Sequence, residues 1–348
     1  MSEDTRELSG RTGCMILPII LVLLGTGGPA HADDGGWTFE FEALYLSVYG
    51  HDQHVLNIHE IDLGSTPEVD RTTAVNLETD GGFAPRIEVR YTRGPWRFGI
   101  DAVRFVTQQS VADQTAAASG SLNPIVFEIA DRSFVSSNPG EGLFYGVLGD
   151  TELAVWMVDL YAMRTLAETP HSAVRLQFGL RNADFDNDYR AVVGIQDVGG
   201  RRLDASSNYG RMIGPLVGFV GEIRRGKNSF EGYLGQSVVL GEAELTNRSR
   251  DFTGPLSDAF PVDVDLPTTV SEESFRALQD VAIPITDLRL DWTYRFGKHF
   301  SLGAGIYGSV WWNVPVPPGV VPMEDGNQIL HENTLVFLGL QAGVKVNL

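Results

Sequence analysis

The last fifteen residues, Thr334 to Leu348, alternate without a break. Val336, Leu338, Leu340, Ala342, Val344, Val346 and Leu348 share one parity, and Phe337, Gly339, Gln341, Gly343, Lys345 and Asn347 share the other. That spacing predicts a strand with one apolar face and one face of polar or small residues. A tilted strand crosses a bilayer with ~9–11 residues, so this stretch is long enough. An apolar terminal strand needs a partner for its edge. Closing a barrel against the first strand supplies one, and a lipid environment demands that closure. Taken alone, the same strand also suits the end of a soluble sandwich.

Nine further stretches carry the same signal. They are Trp37 to Tyr49, Phe83 to Thr92, Trp96 to Thr107, Glu152 to Leu166, a strand from Ala173, Asn208 to Arg224, Ser229 to Gly241, Pro284 to Phe296 and His299 to Val314. In the first, both faces turn apolar beyond Ala43, which predicts a bulge. In the third, parity fades at Arg104. Short polar turns such as Arg93-Gly94-Pro95 and Arg225-Gly226-Lys227-Asn228 alternate strictly with long connections. The long ones are 50–82, 108–150, 184–207, 242–283 and 315–332. Residues 124–130 suit a strand extension above the membrane. Thr269 and Glu272 have capping-box spacing before Phe275 and Leu278, which predicts a short helix.

Ten strands with alternating short and long connections predict an all-β, antiparallel up-and-down transmembrane barrel, with turns on the periplasmic side and long loops outside. A soluble sandwich has no reason for that alternation. A twelve-strand count, with a hairpin in the second or fourth long segment, stays open. Trp37, Phe39, Tyr91, Trp96, Phe98, Tyr294, Phe296 and Phe300 gather at the short-turn ends as one interfacial girdle, with Trp156, Tyr209 and Trp312 as candidates for the other.

Composition narrows the reading further. The 348-residue chain has Lys+Arg 26 against Asp+Glu 45, a net charge of -19 that argues against nucleic acid as a partner. A mean hydropathy of -0.05 excludes a bundle of membrane helices. Arg6 and Arg11 precede an apolar run from Met15 to Leu24, and Ala30-His31-Ala32 is an A-x-A site. These predict a secretory signal over residues 1–32, cleavage before Asp33, and a mature barrel over 33–348. The single cysteine, Cys14, would leave with the leader, so no thiol chemistry is expected.

The polar faces define the expected lumen. Arg86, Glu88, Arg90, Arg97, Asp101, Asp159, Arg175, Arg181, Glu222, Glu231, Asp287, Arg289, Asp291, Arg295 and Lys345 fall on inward parity, and Glu40 and Glu42 join them. Ten strands lie near the filled end of the barrel series. Interleaved charges then make either ion-pair networks or a transverse field across a narrow channel. Gly210, Gly214 and Gly218 share a parity, which either thins the wall or seats a neighbouring side chain.

Other motifs carry less chemistry. Asp184-Phe-Asp-Asn-Asp188 resembles the start of a calcium loop, but Tyr189 and Ile195 stand where Gly and Glu are required. No metal or other cofactor is expected. His51, His54 and His59 lack partner carboxylates at a defined spacing. Small barrels also serve as proteases or phospholipases. No strand sets histidine beside serine in mid-membrane; His299 and Ser301 share a parity only at the periplasmic end. No enzyme is therefore expected, although the acidic loops with His51 and His54 keep a protease at the outer rim as a minor alternative.

Several segments resemble the Legionella-type major outer membrane protein family: FEALYL from Phe41, VDLYAMRTL with FGLRNADF between Val158 and Phe185, and NYGRMIGPLVGF with FEGYLGQSVVLGEAE between Asn208 and Glu244. The chain departs from outer-membrane barrels at Leu348, where an aromatic residue usually ends the chain for the insertion machinery. The resemblance implies a pore for small solutes, set in outer-membrane lipid and lipopolysaccharide, and brings no catalytic residue. Acidic side chains outnumber basic ones about 28 to 8 over 51–82, 109–151, 186–207, 242–283 and 315–332. A pore with Asp263, Asp265, Glu272 and Glu273 at its outer mouth would have a modest cation preference that salt screens. A plugged barrel, structural or surface-binding, is the alternative.

Overall fold

A computed structural model describes residues 35–50, 53–62, 69–77, 81–116, 125–129, 132–136, 144–195, 199–253, 269–315, 321–322, 328–329 and 332–348. Ten strands close into one antiparallel barrel. They are β1 (Gly36–Tyr49), β2 (Gly82–Arg93), β3 (Trp96–Ala116), β4 (Phe144–Glu168), β5 (Ser172–Ile195), β6 (Gly199–Arg225), β7 (Asn228–Thr253), β8 (Thr269–Arg295), β9 (Phe300–Pro315) and β10 (Glu332–Asn347). Each pairs with its neighbours in the chain, and β1 closes on β10 with Phe41 opposite Val344 and Tyr45 opposite Leu340. Backbone bonds between Trp37 and Leu348 finish the seam at 2.9 and 3.2 Å. No backbone edge of the barrel is left for lipid to meet.

Side-chain parity follows from the register. Phe41, Leu160, Phe178, Phe219, Leu234, Leu290, Ile306 and Leu340 point outward and are exposed, forming an apolar band around the wall. Aromatic rings cluster at its short-turn border: Trp37 lies 4.9 Å from Tyr91, and Tyr294 lies 4.8 Å from Phe296. Leu338 belongs to this band, whereas Gln341 is buried inside. Leu338→Arg should therefore cost ~2–4 kcal/mol if Leu338 lies near mid-bilayer. Urea unfolding of the barrel in lipid vesicles would measure the loss, and an unchanged midpoint would mean that the outward face does not meet lipid.

Several expectations need correction. The chain from Asp184 to Ser207 is not a loop: β5 runs to Ile195 and β6 starts at Gly199. Likewise β3 continues to Ala116, β4 begins at Phe144 and β7 runs to Thr253. Thr269 to Ile283 is strand rather than helix, with Val281 and Ile283 turned inward. The capping-box spacing there arises from the alternation itself. The barrel is thus a low wall on one side and a tall wall, β3 to β8, on the other. Strands β1 and β2 pair without interruption, so no bulge follows Ala43. Bulges lie instead in β6 between Gly210 and Ile213, where Arg211 has a φ of 33°, and in β9, where Asn313 has a φ of 56°.

The polar segment after β1 contains two paired strands, Gln53–Asp62 and Val69–Leu77. Ile125–Ile129 is indeed a strand, but it joins Gln53–Asp62 in a separate four-stranded sheet and does not extend the barrel. The expected leader with Cys14 and its cleavage site, together with His51, Asp263 and Asp265, lies outside the described residues.

Candidate functional site: the barrel interior

The interior has three levels, counted from the short-turn end. The first is a vestibule of about 670 Å³. Its walls are Thr38, Glu40, Arg90, Arg97, Glu222, Glu231, Asp291, Arg295 and Lys345, and its mouth is bounded by the turns at Pro170-His171 and Gly226–Asn228. The expected lumen residues meet here because β1, β2, β3, β7, β8 and β10 all present even-spaced polar positions at their short-turn ends. Arg90 donates to Glu40 at 2.6 Å, and Lys345 lies 3.1 Å from the same carboxylate. Glu222 accepts from Arg175 at 2.6 Å, from Arg224 at 2.7 and 2.9 Å and from Ser229 at 3.1 Å. Arg295 is exposed at the rim.

The second level is a layer of buried ion pairs. Arg86 donates to Asp101 at 2.7–3.1 Å and also pairs with Glu42 and Glu88. Tyr161 donates its hydroxyl to Glu88. Arg181 forks onto Asp159 with two bonds of 2.7 Å and reaches across the lumen to Asp287 at 2.6 Å. Arg289 stacks 4.4 Å from the centre of the Tyr233 ring. These contacts are the ion-pair arrangement rather than the transverse field. A cavity at this level has about 20 Å³, room for about one water.

Inward glycines seat the tyrosines. A Cβ on Gly235 would stand 2.2 Å from the Tyr233 hydroxyl, and one on Gly99 would stand 2.4 Å from the Tyr161 ring. The space beside Gly218 is likewise taken by Tyr233, so that glycine accommodates a ring and does not widen a channel.

Above the ion pairs lies a layer that the sequence reading missed. Leu44, Leu46, Val103, Phe105, Val155, Met157, Tyr307, Trp311 and Phe337 fill the bore as one apolar septum. Phe105 and Trp311 both pack edge-on to Phe337, at 5.8 and 5.9 Å between ring centres. The cavity lined by eight of them is about 10 Å³. A signal for this layer was present. Leu44, Leu46 and Val48 are inward residues, so the two apolar faces beyond Ala43 mark the septum. The fading parity at Arg104 has the same origin, since Val103 and Phe105 point in. Tyr209, a candidate girdle residue, is also inside and donates to the Pro315 carbonyl. Trp312 is exposed on the outer face as expected, and Trp311 is its inward counterpart.

The outer end differs from the expected acidic mouth. Glu272 stands on the exposed face of β8, and the Arg248 guanidinium, bonded at 2.9 and 3.0 Å, holds its carboxyl below the usual range. Asp204 is paired with Arg202 and Arg250 in the same way. Among the described residues, acidic side chains of the tall wall are thus partly neutralised along the strands and do not ring a channel. For Glu273 the backbone is described within β8 but the side chain is not. Among the described residues, no three of His, Cys, Asp and Glu are placed to hold a metal ion, the Asp184 to Asp188 stretch included.

No protein-family model and no curated protein matches the chain. Solved barrels do. The outer membrane protease OmpT from Escherichia coli is 13% identical, over 90% of this chain and 97% of its own, with a TM-score of 0.49. A Pseudomonas aeruginosa FadL homologue is 8% identical over 90% of each chain, with a TM-score of 0.22. The P. putida toluene transporter TodX is 10% identical over 91% and 90%, with a TM-score of 0.16. At these scores the fold rests on the strand register itself.

Proposed function

We propose that the protein is a bacterial outer-membrane barrel with a closed lumen, which holds a tall strand wall and its connecting segments on the outer side of the membrane. The septum is the observation that carries this reading. Nine apolar side chains from around the wall pack together, the cavity lined by eight of them is only about 10 Å³, and a hydrated solute cannot pass such a layer. The apolar outer band, the aromatic border and the closure of all ten strands into one barrel support the membrane location.

A second reading, a pore for small solutes with modest cation preference, is favoured by the polar vestibule. It requires the septum side chains to part.

Single cysteines test the orientation. Thr253 is exposed at the top of β7, and Asn228 is the first residue of the same strand, next to the short turn. Thr253→Cys should react on intact cells with an impermeant maleimide, while Asn228→Cys should react only after the envelope is opened. The opposite pattern would overturn surface presentation of the tall wall.

A further inference from the structure

We propose that the vestibule is an anion-binding site that seats a small oxyanion, a phosphate or a carboxylate, against Arg97. Arg97 lines the cavity from β3 and, among the described residues, makes no ion pair or hydrogen bond through its side chain. The charges that act on it most strongly are Arg175 and Arg90, both of its own sign. Arg175 is fully buried behind the cavity wall and does not line it; its Nε and Nη1 have no hydrogen-bond partner among the described residues, so its charge adds to the positive field at Arg97. The next carboxylate, Glu231, stands 4.0 Å from Nη1, outside hydrogen-bond range.

Most of the other carboxylates of the cavity are already engaged. Glu222 already serves Arg175, Arg224 and Ser229. Glu40 is shared by Arg90 and Lys345, and Asp291 accepts from Gln341. Eight cationic side chains and five carboxylates line the cavity. Arg86 spends its donors on Asp101 and Glu42 below, yet among the described residues Arg97, Lys227 and Arg295 remain without a partner carboxylate.

Buried guanidinium N–H groups left without acceptors are costly, and an oxyanion accepts from several at once. The mouth lies between the Pro170-His171 and Gly226–Asn228 turns, so the ligand arrives from water on the short-turn side. A lipid headgroup is excluded because the site is inside the barrel. The site does not depend on whether the septum closes.

The probe is inorganic phosphate, with acetate as the carboxylate arm, titrated by calorimetry into the full refolded barrel in low-chloride detergent micelles. Both anions should bind, and Arg97→Gln should weaken each by about tenfold or more. Should Arg97→Gln fail to fold, an arginine-directed dicarbonyl on the wild-type barrel gives a second reading. Phosphate should then slow modification of Arg97, mapped by peptide mass. Absence of binding heat from both anions, unweakened binding by Arg97→Gln, or modification of Arg97 at the same rate with and without phosphate would overturn the site.

Discussion

Replacing Arg181 with methionine should cost ~3–5 kcal/mol of barrel stability, because it strands two buried carboxylates. Arg181 projects from β5 into the middle of the bore. Its Nε and Nη2 hold both oxygens of Asp159 on β4, and its Nη1 bonds Asp287 on β8 at 2.6 Å and Ser237 on β7 at 3.2 Å. Asp287 is fixed from the far side by the Ser309 hydroxyl at 2.7 Å, and Trp311 donates to that same hydroxyl at 3.0 Å. One guanidinium therefore ties opposite walls together just beneath the septum. In this dry layer the loss of the cation leaves charge that water cannot reach. Arg224→Ala at the rim breaks contacts that water reaches, to Glu222 and Glu168, and should cost under ~1 kcal/mol. Urea titration of the refolded barrel, followed by tryptophan fluorescence and by heat-modifiable gel mobility, measures both. Replacing Arg181, Asp159 and Asp287 together by apolar residues of similar size should recover most of the loss. An Arg181→Met barrel as stable as wild type would contradict the ion-pair layer.

Truncating Trp311 to alanine should cost a further ~3–5 kcal/mol relative to wild type, through lost burial and the cavity left behind. The indole is fully buried and packs against Phe337 at 5.9 Å and Phe185 at 6.1 Å. Its neighbour Trp312 projects to the outer face, where alanine removes contact with lipid and a 3.3 Å bond to Thr286, and should cost less. The order of the two in the same urea assay is the check, and a smaller loss for Trp311→Ala would place the inward and outward faces of β9 the wrong way round. The inner truncation also has a functional signature. Together with Phe105→Ala it removes two rings that stand on either side of Phe337, and should join the vestibule to the outer half of the bore.

The sequence made the membrane-level barrel legible because lipid and a polar interior impose opposite demands on successive residues. Strand number, inward residues and the closing pair all follow from that alternation, as Leu338 and Gln341 on opposite faces of β10 illustrate. Above the apolar band both environments change. Asp186 and Asp188 point outward to water while Asn187 and Tyr189 point into the bore, so the period-2 contrast that identifies a strand vanishes and β5 reads as loop. The septum was hidden for the converse reason: Leu44 and Leu46 inside and Tyr45 outside are all apolar. Parity placed the charged residues in the interior, but not their partners. Arg181 and Asp287 are 106 positions apart, and only the closed barrel brings them together.

Single-channel recording of the refolded wild-type protein in planar bilayers tests the closed lumen most directly. The wild-type barrel should insert without steady conductance, whereas the barrel carrying Trp311→Ala and Phe105→Ala should show discrete steps. Steady conductance from the folded, heat-modifiable wild-type protein would contradict the closed lumen and favour the pore.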